Sequence, residues 1–387
     1  MKTMKEIIIG EMINGKETLQ EIENVRKNGR DLIREKNKTK EIVGALHAES
    51  LDLKVIEIRE ETKGSKTFRL ASKTGYLPPF QAGQYINIFT VIEGVRTSRP
   101  YSISSSPKQR AYYEVTVDRI EKGFVSDYFL DKVKVGDEFE ANGPAGEFHF
   151  NPVFHYDKSV FIAGGSGITP FNSMIKEILE SGAKREIHLI YGCRDEEVAI
   201  FHKELEEMAR NHDNFKYNLV LSESDKECNF RKGFIDAKCI KELVGVLDDC
   251  TYYLCGPEIM IEFVTSALKE LKVRPKDIRR EMFGSRQDIE NEPGWPKDLT
   301  GDEVFKVTIG DRVIDARANE SLLTAVERAG IHINVCCRSG ECSLCRVKLV
   351  SGNVFMPKGV LLRLADEKFG YIHSCKAYPI SDLEIMY

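Results

Sequence analysis

The 387-residue chain lacks any apolar run approaching the eighteen or so residues that a membrane span requires. Its opening stretch, MKTMKEIIIGEM, is too weakly apolar for a signal peptide, so the expected location is cytoplasmic. A basic excess is missing too: net charge is −5 at pH 7, which argues against a nucleic-acid partner. No internal repeat is visible. What is present is ordinary for a globular protein, with 42% hydrophobic and 30% charged residues and length enough for two or three domains. Ten cysteines in an unexported chain point away from disulfides and toward metal or redox chemistry.

Four of those cysteines form a pattern. C-R-S-G-E-C-S-L-C runs from Cys337 through Cys342 to Cys345, and Cys375 follows thirty residues on. The spacing C-x4-C-x2-C with a distant fourth cysteine is the plant-type ligand set of a [2Fe–2S] cluster. Gly340 sits inside the loop, where a residue without Cβ lets the backbone approach the sulfurs. Zinc is the alternative, but zinc sites pair two short knuckles, and the chain has no second one. Taking Cys336 as the ligand would stretch the first gap to five, so Cys337 is assigned and Cys336 is read as a small buried thiol. Cys193, Cys228, Cys239 and Cys250 are scattered and read as structural.

Changes in periodicity divide the rest. Residues 1–48 read as a charged, helical N-terminal extension with an apolar stripe of Leu19, Ile22, Val25, Leu32 and Ile33. Seven basic against two acidic residues between Arg26 and Lys40 make it a solvated face, with docking or dimerisation as the alternative. Residues 49–152 carry short alternating runs (LKVIEIREE, KTFRLAS, QYINIFTVI, YYEVTVDRI, DEFEA), which predict an antiparallel barrel or sandwich. In 153–283, apolar strands alternate with helical stretches, predicting a doubly wound α/β domain with a parallel sheet. Residues 284–301 are polar and rich in Gly and Pro, a linker expected to let the last segment swing. Residues 302–387 open with a hairpin, FKVTIGDRVIDAR, then the helix ESLLTAVERAG and the cysteine loop.

Two segments suit anionic cofactors. In the barrel segment, R-P-Y-S (Arg99, Pro100, Tyr101, Ser102) precedes G-F-V-S (Gly123 to Ser126) at the start of a helix-like run. An arginine and a Gly/Ser turn at a helix N-terminus make a phosphate site, and Tyr101 offers a flat face to an aromatic ring. In the α/β segment, F-I-A-G-G-S-G-I-T-P reads strand, glycine loop, helix, although it is not the G-x-G-x-x-G fingerprint. Further on, T-Y-Y-L-C-G-P-E puts Cys255 and Gly256 at the C-terminal end of a strand, the edge where ligands gather.

In this order R-P-Y-S, G-x-V-S, G-P-A-G-E-F (Gly143 to Phe148), G-G-S-G-I-T-P, Y-G-C-R (Tyr191 to Arg194), C-G-P-E-I-M and C-x4-C-x2-C resemble the ferredoxin–NADP reductase superfamily. The likeness is to members with a C-terminal plant-type ferredoxin domain, such as oxygenase reductase components and the NADH oxidoreductase of the hybrid cluster protein. It covers roughly residues 52–387. The resemblance implies a multidomain fold: an antiparallel β-barrel FAD domain, an α/β doubly wound NAD domain, and an α+β, β-grasp-like [2Fe–2S] domain. It implies that Arg99, Pro100, Tyr101 and Ser102 hold the isoalloxazine, with the Ser102 hydroxyl near flavin N5. Gly123, Val125 and Ser126 would form the phosphate turn, where Lys122 replaces a glycine common in the family. Gly164, Gly165, Gly167 and Thr169 would take the dinucleotide pyrophosphate; Cys255, Gly256 and Pro257 would lie over the nicotinamide. Glu281 and Phe283 match the acidic and aromatic pair that closes the flavin pocket, and Ser102, Cys255 and Glu281 become the catalytic candidates. FAD is expected rather than FMN. Glu223 and Asp225 would repel a 2′-phosphate, which makes NADH the expected donor and NADPH the alternative.

The expected function is an NADH-dependent flavin and iron–sulfur reductase serving a partner redox protein. The rival is a non-catalytic redox-sensing or regulatory subunit. Residues 302–387 carry eleven acidic and eleven basic side chains, so this segment lacks the strong acidity of free plant ferredoxins, as suits a tethered domain.

Overall fold

Period-two burial builds the first sheet. In β1 (Leu51–Thr62), Leu51, Leu53 and Val55 are buried, while Asp52, Lys54 and Ile56 between them face solvent. In this computed structural model the described residues are 15–27, 43–44, 50–121, 123–223, 230–282 and 288–387. Residues 1–49 and 50–387 are separate units. The first contains helix α1 (Gly15–Lys27), with Leu19 and Ile22 half-buried and Val25 exposed; Leu32 and Ile33 lie outside the described residues.

The second unit begins with β1, β2 (Ser65–Ser72), β3 (Tyr85–Ile92), β4 (Val95–Ser102), β5 (Tyr113–Asp118) and β6 (Glu138–Ala145). They pair antiparallel in the order β4-β3-β6-β1-β2-β5. An isolated bridge between Ile103, just past β4, and Val115 on β5 joins the two edges, so the sheet closes as a barrel does. Helix α2 (Phe124–Asp131) plugs it, the Phe129 ring lying 5.6 Å from Phe68 and 5.1 Å from Phe139.

The next sheet is parallel throughout, in the order β10-β9-β8-β7-β11-β12. Its strands are β7 (Lys158–Gly164), β8 (Glu186–Cys193), β9 (Phe215–Leu221), β10 (Arg231–Lys232), β11 (Cys250–Cys255) and β12 (Ile278–Glu281). Both faces are covered, which explains the unbroken apolar runs. Phe161 and Ala163 pack into one core with helices α3 (Thr169–Ser181) and α4 (His202–Asn211). Val160 and Ile162 pack into the other, with α5 (Ala237–Val244) and α6 (Glu258–Glu270). SVFIAG, IHLIYG, YNLVLS and TYYLC are β7, β8, β9 and β11. Strands β10 and β12, two and four residues long, are too short to show a period.

A mixed sheet of order β14-β13-β19-β15-β17 ends the chain. It comprises β13 (Val304–Ile309), β14 (Arg312–Arg317), β15 (Arg346–Ser351), β17 (Tyr371–His373) and β19 (Leu383–Met386); β16 (Val354–Phe355) and β18 (Tyr378–Pro379) pair separately. The predicted hairpin is β13–β14, and the predicted helix is α7 (Leu322–Arg328), whose Leu322, Leu323 and Val326 fill the core under the sheet. A last short helix, α8 (Leu364–Lys368), precedes β17. Residues 289–299 depart from the expectation of an open linker. Ile289 and Trp295 are buried against Ala318 and Tyr378, the indole packs edge-on to Phe355 at 5.2 Å, and its Nε1 donates to the Leu299 carbonyl. The apolar area of these two side chains outweighs the local polar composition and ties this stretch to the iron–sulfur sheet.

Candidate functional site

Strand β7 ends at Gly164, a tight turn spans Gly165–Ile168, and α3 begins at Thr169 with Pro170 in its first turn. β11 ends beside it, Cys255 standing opposite Ala163 on one side and Glu281 of β12 on the other. Glycine is compelled here: a Cβ on Gly167 would lie 2.2 Å from the Cys255 carbonyl oxygen. The glycine loop and Cys255–Gly256–Pro257 are thus stacked backbone to backbone at the C-terminal edge of the sheet. The Thr169 hydroxyl donates to the Ser166 carbonyl. Tyr191, given no role from sequence, anchors the loop: its hydroxyl donates to Gly165 O at 3.0 Å and accepts from Ile200 N at 3.1 Å.

Cys255 and Glu281 are both buried. Burial, and then the nearby Glu281 carboxylate, pushes the Cys255 thiol well above its ordinary range. Burial likewise pushes the Glu281 carboxyl far up, helped by the charges of Glu341 and Cys337 in the cysteine loop. Its Oε2 has no hydrogen-bond partner. Phe283, Asp225 and Lys122 lie outside the described residues.

On the barrel, Ser102 is buried directly opposite Tyr85, which in turn faces Ala145 of β6. Pro100 is buried, and the Tyr101 ring lies 5.6 Å from Phe129. Arg99 donates to the Thr97 hydroxyl at 2.9 Å and to the Ser98 carbonyl at 2.7 Å. Burial, and then the Arg338 charge, lowers its guanidinium to about 10. Among the described residues no carboxylate hydrogen-bonds this cation, so it suits an incoming phosphate. Gly123 caps α2, and a Cβ there would lie 2.1 Å from Ser126 Oγ, which accepts from Ile120 N at 3.2 Å. Val125 behind it is buried. In G-P-A-G-E-F, a Cβ on Gly146 would meet the Tyr85 ring at 3.0 Å and Glu281 Oε1 at 3.7 Å, so the barrel and the α/β sheet touch there.

The four cysteines fall into two pairs. Cys337 and Cys342 hydrogen-bond through their side chains, as do Cys345 and Cys375. Cys337 Sγ also accepts backbone N–H groups of Ser339 and Cys342, each at 3.4 Å. The hydrogen bond with the Cys342 thiol, and after it the Ser339 and Cys342 donors, hold the Cys337 thiol well below its ordinary range against its burial, and the hydrogen bond with the Cys375 thiol lowers Cys345 likewise. Among the described residues no three His, Cys, Asp or Glu side chains converge as a single metal ion would need. Two thiols per iron, in two pairs, is the donor set of a two-iron cluster and not of a lone zinc. Gly340 adopts a φ of +83°, and a Cβ there would press on Lys376. Cys336 stays outside the pairs, as expected: it is buried, and its thiol donates to Tyr85 Oη at 3.7 Å.

That contact belongs to a seam the sequence did not disclose. Asn87 Nδ2 donates to Val335 O at 3.0 Å, and Thr97 Oγ1 donates to Glu327 Oε2 at 3.0 Å. Arg338, next to Cys337, pairs with Glu327 and reaches Thr97 and Ser98. The cluster loop therefore rests on the strand that carries R-P-Y-S.

Three domain families match the chain: an oxidoreductase FAD-binding domain over residues 52–150, an oxidoreductase NAD-binding domain over 161–266 and a 2Fe-2S iron-sulfur cluster binding domain over 307–379. The glycine betaine monooxygenase reductase subunit of Chromohalobacter salexigens is 27% identical over 351 residues, 86% of this chain and 94% of that protein. Ferredoxin–NADP reductase B of Sorangium cellulosum is 30% identical over 62% of this chain and 99% of its own length. Phthalate dioxygenase reductase, a modular structure for electron transfer from pyridine nucleotides to [2Fe–2S], superposes with a TM-score of 0.66 at 25% identity, covering 87% of this chain and 97% of its own. The chain belongs to the ferredoxin–NADP reductase superfamily, as a member that joins FAD-binding, NAD-binding and C-terminal 2Fe-2S domains in one polypeptide.

Proposed function

We propose that the protein takes electrons from NADH and passes them through FAD and a [2Fe–2S] cluster to a partner redox protein, an oxygenase being the acceptor class its relatives serve. One observation carries this reading. Glu281 stands beside Cys255 at the nicotinamide edge, within 4 Å of where a Gly146 Cβ would lie on the barrel, and within electrostatic reach of Cys337 in the cluster loop. The residues proposed for donor, flavin and cluster thus gather around this one carboxyl.

When bound, FAD accepts the two electrons of a hydride and the cluster hands them on singly. The chain's task is placement. The glycine loop from Gly164 to Gly167 and Thr169 would seat the pyrophosphate on the N-terminus of α3. Cys255, Gly256 and Pro257 would press the nicotinamide toward the barrel, and Glu281 would hold a proton beside it. Arg99 and the α2 turn of Gly123, Val125 and Ser126 would take the flavin phosphates, with Pro100 and Tyr101 against the ring and Ser102 near N5. Cys337 and Cys342 would hold one iron, Cys345 and Cys375 the other. Glu223, whose amide donates to the Arg194 carbonyl, and Asp225 would disfavour the 2′-phosphate of NADPH.

The same reading divides the chain at 48, 152, 283 and 301, places it in the cytoplasm, and takes residues 1–48 as a solvated helical extension, with docking or dimerisation as the alternative. Among the described residues no helix is long and apolar enough to cross a membrane. Purified holoprotein should reduce ferricyanide and cytochrome c with NADH. Ferricyanide activity without cytochrome c activity, in protein carrying a full cluster, would refute the relay.

A further inference from the structure

The cluster loop is keyed into the barrel by hydrogen bonds from a buried ion pair of its own domain. Arg338 has a φ of +55°, a left-handed conformation that non-glycine residues seldom adopt. The residue is 5% exposed, and its side chain leaves the iron–sulfur domain to reach β4. It pairs with Glu327 Oε1 of α7, within its own domain, and donates across to β4, to Thr97 Oγ1 at 3.3 Å and Ser98 Oγ at 3.4 Å. Glu327 Oε2 accepts from the Thr97 hydroxyl at 3.0 Å, so both carboxylate oxygens are used. Thr97 is saturated too: one hydroxyl donates to Glu327 and accepts from Arg99 at 2.9 Å and from Arg338.

Local structure explains neither partner. Glu327 lies in the last turn of α7, where the helix dipole disfavours an acid. A buried ion pair adds little stability over apolar side chains of the same volume, yet breaking it by removing one partner is costly. Here the pair lies on the iron–sulfur side, and its remaining donors and its second carboxylate oxygen meet the hydroxyls of Thr97 and Ser98 in one register. Around it the seam is otherwise a few hydrogen bonds and the contact of Tyr85 with Cys336 and Cys337.

We propose that Arg338, through Glu327 and Thr97, is a positioning residue for flavin-to-cluster electron transfer, holding the iron–sulfur domain in the docked register from which the cluster is reduced. This rests on the function proposed above. In that step one electron leaves the two-electron-reduced FAD and turns one ferric ion of the cluster ferrous; no covalent bond forms or breaks. The second electron follows after the acceptor has reoxidised the cluster, and the flavin's proton departs to solvent with it.

The test is rapid mixing of NADH with holoprotein, following flavin bleaching and cluster reduction separately, in wild type, Arg338→Met, Arg338→Lys, Glu327→Gln and Thr97→Val. Flavin and iron contents and the cluster's potential are measured on each. The expected result is cluster reduction slowed about ten- to a hundredfold, the scale of an ångström-sized misplacement, with NADH-to-flavin reduction within about twofold of wild type. Arg338→Lys should recover part of the rate, since a point charge can meet Glu327 but not span to Ser98. Cytochrome c turnover should fall while ferricyanide turnover holds. If Arg338→Met fails to assemble the cluster, Glu327→Gln and Thr97→Val decide. Wild-type cluster reduction in those two overturns the proposal, and so does equal slowing of both steps. Failure of the underlying function shows differently, as wild type with no flavin bleaching by NADH or no cluster.

Discussion

Two seams hold the large unit together, and they are made of different material. Between barrel and α/β sheet the contact has an apolar centre: Ala82 and Phe148 enter the same core as Phe161 and Phe171, with Phe148 5.7 Å from both Phe171 and Tyr253. Hydrogen bonds rim it, from Ser173 Oγ to Ser105 O at 2.7 Å, from Asn172 Nδ2 to Ser104 O at 3.5 Å, and from Ser106 and Lys108 to Glu180, with an exposed Lys63–Glu197 ion pair at 3.5 Å. Between barrel and iron–sulfur domain, hydrogen bonds from the Arg338–Glu327 pair to Thr97 and Ser98, and one from Asn87 to Val335 O, surround a small patch of Tyr85, Cys336 and Cys337. Apolar burial makes a seam hard to open, whereas a polar seam specifies orientation at little net stability. The first seam fixes nicotinamide against flavin. The second sets a register that the iron–sulfur domain must find.

The sharpest way to divide the two is to remove the cluster. Cys375→Ser is expected to abolish NADH-dependent cytochrome c reduction while FAD content and ferricyanide turnover persist, read by iron analysis and steady-state rates. Next comes the apolar seam: Phe148→Ala should destabilise the flavin and nucleotide halves together by about 3–5 kcal/mol, seen as a lowered denaturant midpoint with the cluster still assembled. Smaller effects are expected at the chemistry itself. Glu281→Gln and Cys255→Ala should each slow flavin reduction by about ten- to a hundredfold at unchanged cluster content, measured by stopped flow. Least is expected from Glu223→Arg, which should narrow the preference for NADH over NADPH by severalfold, compared as kcat/KM for the two donors.

What was readable in the sequence was local. Alternation in LKVIEIREE, the apolar runs SVFIAG and TYYLC, and the Gly-Asp turn after FKVTI each announce their own element, because the cause lies within a few residues. The glycine loop and the cysteine spacing are legible for the same reason. The second seam is not. Thr97 and Glu327 are 230 positions apart, and an arginine beside a cysteine carries no mark of which strand it will meet. The packing of Trp295 was hidden likewise, since 284–301 reads as polar until its one large aromatic finds Phe355. Tyr191 offered a signal in Y-G-C-R, but only three dimensions connect its hydroxyl to Gly165.

The account's central claim is that one chain links a hydride acceptor to a one-electron carrier in series. Anaerobic addition of NADH to holoprotein, followed by flavin absorbance and by the electron paramagnetic resonance of the reduced cluster, tests it most directly. The account predicts that the flavin bleaches first and the cluster signal then rises from it, and that protein stripped of FAD gives no cluster signal with NADH. A cluster that stays oxidised beside fully reduced flavin, or that is reduced without FAD, would contradict it.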